Sequence, residues 1–147
     1  MATGTPATTL LVEHIATQLA LLVPPSYRTN IGSNVSTERM QAIDSDAPFV
    51  SVRLVGWESG EDPVPVMRSC ELRVEACVPA TDDNAEDQAR DAAEDLYELF
   101  RVPGASVTLS ANAYALIRAV SSADIDRPDG GASVIAGITL RADLYDT

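Results

Sequence analysis

Any Ser-His-Asp or Cys-His device in this chain would have to use His14, its single histidine. That residue sits inside an apolar-periodic stretch, beside Ile15. A helix-surface or core-edge histidine is the plainer reading there. A zinc site built from Cys70, Cys77 and His14 would still lack a fourth ligand. The two cysteines also fall at odd spacing in one predicted strand, so they point to opposite faces, roughly 23 Å apart at strand rise. They cannot bridge each other and read as small buried apolar residues.

The acidic runs fail as calcium loops. Asp82–Ala93 places oxygen side chains at its first, third and fifth positions, but Asp87 stands where Gly is needed and Ala93 where Glu is needed. Asp124-Ile125-Asp126 is followed by Asp129 at the glycine position and fails too. Gly130-Gly131 lies between two predicted strands, which marks a turn rather than a phosphate loop. No carboxylate pair stands out for glycoside chemistry. The expectation is a chain with no catalytic residues, no metal site and no cofactor.

The 147 residues fit one domain, 1–147, with residues 1–7 as a loose polar arm. A domain of this size buries roughly 68–70% of its unfolded surface and needs no staple. There are 22 acidic and 10 basic residues, a net of −12; every basic residue is arginine and lysine is absent. That balance argues against a broad nucleic-acid grip and against adhesion to anionic membranes. The apolar stretch Leu10–Val23 is too short to span a bilayer and carries Glu13, His14 and Gln18. Met1–Ala7 has no positive residue with which to open a secretory signal. Use in the cytoplasm is the expectation.

The elements that must carry these residues are legible in outline. Thr8 or Thr9 is placed to cap a first helix, with Leu11, Ile15, Leu19 and Leu22 on one face and Pro24-Pro25 as its stop. Tyr27–Ile31 reads as a short strand. Residues 32–48 read as a long polar loop with a helical turn near Glu38–Ile43. Phe49–Trp57 and Arg68–Val78 alternate as strands around a Gly/Pro/acid turn at Gly56–Pro65. Asp82–Arg101 is the best helix, with Ala85, Ala89, Ala92, Leu96, Leu99 and Phe100 as its stripe and Asp82, Asp83 or Asn84 as its cap. Its acid is excessive: Asp87–Asp91, Asp91–Asp95 and Glu94–Glu98 are like-charge pairs at four-residue spacing, offset only by Glu86–Arg90. Val107–Leu109, Tyr114–Val120 and Ser133–Tyr145 complete the strands, with Asp129-Gly130-Gly131 turning into the last. The fold class is α+β, a mostly antiparallel sheet covered by two helices, with an extended hairpin.

The segments "APFVSVRLVGWESG", "SCELRVEACVP", "DNAEDQARDAAEDLYELF" and "VIAGITLRADLY", behind an amphipathic first helix, resemble the tail-terminator family of long-tailed bacteriophages. The likeness spans roughly Leu10 to Tyr145 and is one of layout rather than of a diagnostic motif. The loop 32–48 is its least family-like part. The resemblance implies a homo-oligomeric ring, typically of six copies, at the head-proximal end of the tail. Such a ring caps the tail tube protein, ends its polymerisation and meets a neck or head-completion protein. DNA passes its lumen without specific binding, no membrane is involved, and the protein resides in the virion after assembly in the host cytoplasm. Alternatives are another head–tail joining protein or, from a different class, a small-ligand-binding α+β domain with an apolar pocket.

A ring needs a heterologous contact, and subunits of net −12 repel unless arginines sit at the seam. Arg53 and Arg73 fall on the polar faces of the two central strands. Trp57, Val64, Val66 and Met67 make the hairpin between them unusually apolar. Trp and Arg carry much interface energy. These six residues are therefore the candidate contact with the next subunit or the tail tube. The competing expectation is that Trp57 packs on its own domain.

Overall fold

The computed structural model describes residues 4–37, 48–59, 66–80, 84–101, 106–118, 123–127 and 133–146. Helix α1 runs Ala7–Leu19, with Leu11, Ile15 and Leu19 buried at helical spacing. It opens at Ala7 behind Pro6, not at Thr8 or Thr9, so only part of the expected arm precedes it. It also closes before Pro24-Pro25. The amides of Leu21 and Leu22 donate to the carbonyls of Gln18 and Leu19 at 3.0 and 3.1 Å, a tightened last turn that ends the helix early.

Tyr27–Ile31 is not a strand. The amides of Arg28 and Thr29 donate instead to the Asp95 carboxylate, so they have none left for a strand partner. A 3-10 turn follows at Ile31–Ser33. Gly32 belongs there because its amide reaches the Leu22 carbonyl at 2.9 Å. A Cβ on Gly32 would lie 2.7 Å from the Leu19 carbonyl oxygen and 2.8 Å from the Leu22 backbone, so no side chain fits. Strand β1, Val35–Ser36, is followed by residues outside those described, including the turn expected near Glu38–Ile43.

β2 spans Phe49–Ser59 and β3 spans Val66–Pro79, so both strands of the expected hairpin are longer than their sequence pattern suggested. The tip between them, with Val64, lies outside the described residues. Helix α2 covers Ala85–Phe100. Asn84 holds the cap position without a capping side-chain bond to the helix backbone, and Asp82 and Asp83 lie outside the described residues. β4 (Ser106–Ser110), β5 (Ala113–Arg118), β6 (Ala123–Asp126) and β7 (Ser133–Asp146) complete the chain. The expected turn at Asp129-Gly130-Gly131 is likewise outside the described residues.

The sheet runs β1-β2-β3-β7-β5-β4 and is antiparallel except for β1 on β2. β7 is long enough to hold two partners along one edge: β5 pairs its Arg141–Asp146 half and β6 its Ile135–Ile138 half. β6 reads Ala-Asp-Ile-Asp, an alternation of only four residues, all of them exposed, which is too short a run for periodicity to reveal. One sheet face carries Val50, Val52, Leu72, Val74, Ala76, Ala136, Ile138, Leu140, Ala142 and Leu144, all buried in one cluster with both helices. Ala85, Ala89 and Ala92 let α2 approach β7 and β3 closely, with Leu96 and Phe100 filling the space beyond. This is the α+β class expected.

Candidate functional site

Cross-strand register sorts the six candidate residues by face, because paired residues point the same way. Arg53 lies opposite Arg73, and Arg73 opposite Thr139, on the face away from the helices. Like charges placed directly opposite repel. The structure relieves this by engaging only one of them. Arg73 Nη2 donates to Asp124 Oδ1 at 2.7 Å, and its Nε lies 3.7 Å from Glu75. The hydrogen bond it donates to Asp124 raises the guanidinium's pKa, which keeps it charged. To reach β6, Arg73 lies flat across Gly137, where any Cβ would run into the guanidinium. Arg53 is exposed and forms no ion pair with another described residue. The two arginines therefore part: Arg73 fastens β6 to the sheet, and Arg53 is left facing outward.

Trp57 does not share their face. Simple alternation from Arg53 would put it there, but the register slips between Leu54 and Gly56, leaving Val55 as an extra residue. Trp57 thus stands opposite Cys70, on the helix-side face, and remains 51% exposed. It does not pack into its own core. Its neighbour is Arg68, whose guanidinium carbon lies 5.4 Å from the ring centroid and whose Nη2 reaches Asp146 at 3.1 Å. Met67 returns to the outer face opposite Tyr145, which stacks on Tyr114 with centroids 4.8 Å apart. Val66 belongs to β3 by its backbone; its side chain is outside the described set, as is Val64. Arg68, Tyr114, Tyr145 and Asp146 were missed because only register, not spacing, brings them together.

The acid on α2 is less uniform than its sequence suggested. Asp95 is fully buried, a side chain on the apolar stripe rather than on a solvated face. Its oxygens accept from the Arg28 amide at 3.1 Å, the Arg28 guanidinium at 3.3 Å, the Thr29 amide at 2.8 Å and the Thr29 hydroxyl at 2.7 Å. Glu98 holds the same guanidinium at 2.9 Å. The expected Glu86–Arg90 pair is replaced: Arg90 bonds Asp87, one residue nearer, and Glu86 takes Arg127 from beyond β6, each at 2.8 Å. Above this pinned loop lies a cavity of about 610 Å³ lined by Asn30, Ile31, Pro48, Val78 and Asp91, among others.

Cys70 and Cys77 are free and buried on opposite faces of β3, as the odd spacing required. Burial pushes both thiols up, which keeps them protonated and unreactive. His14 is half-buried on α1, and burial lowers its pKa. Among the described residues no group of three or more His, Cys, Asp or Glu is placed to hold a metal ion, and no helix is long and apolar enough to cross a membrane.

No family model matches the chain, and no curated protein matches it in sequence. A solved structure does match in fold: a chain from the virion of a native gene transfer agent particle superposes with a TM-score of 0.58 at 15% identity. The match covers 92% of this chain and 93% of the other, so the two share one architecture from end to end.

Proposed function

We propose that this chain is a non-catalytic structural subunit of a phage-type virion. More narrowly, it forms the ring that caps the head-proximal end of the tail tube, ends tube growth and joins the tail to the neck. The observation that carries the reading is the likeness in fold to a virion chain over 92% of this chain and 93% of the other. The sequence texture points the same way, and so does the charge. A subunit of net −12 suits a lumen that DNA must pass, since attraction to phosphate would slow it. Arg53, with Trp57, Arg68 and Met67 on the same extended hairpin, supplies the contact with the next subunit or with the tube. Another head–tail joining role uses the same architecture and the same ring logic.

The cavity beside the Asp95-pinned loop favours a second reading, a small-ligand-binding module, because its volume is within the range of ligand pockets. Native mass spectrometry of the purified protein separates the two. The structural reading gives a single high-order oligomer. A monomer or dimer carrying a co-purified small molecule would replace it with the ligand-binding reading.

A further inference from the structure

The sheet ends in two edges that no described strand covers. β1 occupies only Val50 and Ser51 on the outer side of β2, and no described strand pairs with that side from residue 52 to Ser59. At the far end β4 pairs with β5 alone. Such edges present unpaired backbone donors and acceptors, and proteins usually blunt them with charge or proline. β4, reading Ser-Val-Thr-Leu-Ser, has neither.

On a chain of net −12, an uncharged edge is where another copy approaches without repulsion. The β2 edge carries the exposed cation Arg53, which has no ion pair to another described residue. Exposed apolar surface gathers at the same two places. Among the described residues, three of the six large hydrophobics that stand exposed lie there: Val55 and Trp57 on β2, and Tyr114 on β5 beside β4. Strand direction fits as well. From β2 through β3, β7 and β5 to β4 each pairing is antiparallel, so the two edge strands run the same way. A copy related by rotation about an axis along the strands therefore offers its β2 parallel to β4. The β2 edge already takes a parallel strand, since β1 pairs with it in that sense.

We propose that copies of this chain join edge to edge, with β4 of one adding as a parallel strand to the uncovered half of β2 in the next. The contact uses different surfaces on its two sides, which is what a closed ring requires. It rests on the reading of the chain as a ring subunit and names the surface by which that ring is built.

Disulfide trapping tests it. Thr108 lies on the outer face, in register with Tyr114, and Arg53 and Glu58 lie on the same face. Cys70 and Cys77 are buried, so introduced thiols alone react in the folded protein. Thr108→Cys is combined with Arg53→Cys or, for a shifted register, with Glu58→Cys; the oligomer is oxidised and run without reductant. At least one pair is expected to give covalent ladders longer than a dimer, and each single-cysteine chain none, since adjacent strands meet disulfide geometry. A high-order native mass with no ladder from either pair overturns the edge contact while leaving the ring intact. A monomeric parent removes both. A second variant, Thr108→Asp with Ser110→Asp, places like charge on the β4 edge. It should lower the oligomer to monomer while the far-ultraviolet dichroism is unchanged, and a persisting ring would contradict the proposal.

Discussion

Asp95 has no exposed surface, yet it is an acid on the apolar stripe of a helix. Four donors from Arg28 and Thr29 account for it, and they fix the loop after α1 against α2. Asp95→Ala would strand two backbone amides and should lower stability by about 1–3 kcal/mol, read from denaturant midpoints. Asp91→Ala, on the same helix but outside that network, should cost far less. His14 gives a pH dependence of known sign. Burial lowers its pKa, so below about 6.5 the unfolded chain takes up a proton that the folded chain resists. Stability should therefore fall as pH drops from 7.5 to 5.5, and His14→Gln should flatten that part of the profile relative to the parent. At this scale the sequence was informative about what residues are and weak about what they meet. Cys70 and Cys77 were assigned to opposite buried faces by spacing alone. In the sequence Asp95 is one more member of the like-charge pairs of α2, because nothing local distinguishes a solvated carboxylate from one satisfied by residues 66 and 67 positions away.

Among the elements, those with strong periodicity were legible. α2, β2, β3 and β7 lie where apolar spacing puts them, within a few residues at each end. Leu96 is fully buried at the centre of the α2 stripe. Leu96→Ala should cost about 2–5 kcal/mol in chemical unfolding, as for other buried leucines cut to alanine. An unchanged midpoint would mean that this face does not enter the core. What failed did so for two physical reasons. The strand expected at Tyr27–Ile31 was overridden by a tertiary partner for its amides. β6 escapes notice because its alternation lasts only four residues and buries none of them; it is held by backbone pairing and by Arg73 reaching Asp124. The bulge at Val55 matters most for function, since one extra residue moves Trp57 to the opposite face from Arg53. No turn residue marks it in the sequence beyond Gly56.

At the scale of the whole molecule, the helix-covered sheet leaves its charged outer face, its two strand edges and the Arg53–Trp57 hairpin available for assembly. The hairpin shares β2 with one of those edges, so its side chains are tested by substitutions that leave the edge backbone unchanged. Trp57→Ala with Arg53→Glu, chosen because Arg73 is engaged within the chain, should leave the melting temperature within a few degrees of the parent and abolish capping of tubes. Normal capping by a folded double mutant would exclude the hairpin from the contact. The central claim, that this chain closes the end of a tail tube as a ring, is tested most directly by negative-stain imaging of the purified protein mixed with preformed tail tubes. The expected result is a ring of closed symmetry seated at one end of each tube, with tube length no longer increasing when free tube subunits are added. Dispersed monomers, with tubes bare at both ends and still growing, would contradict it.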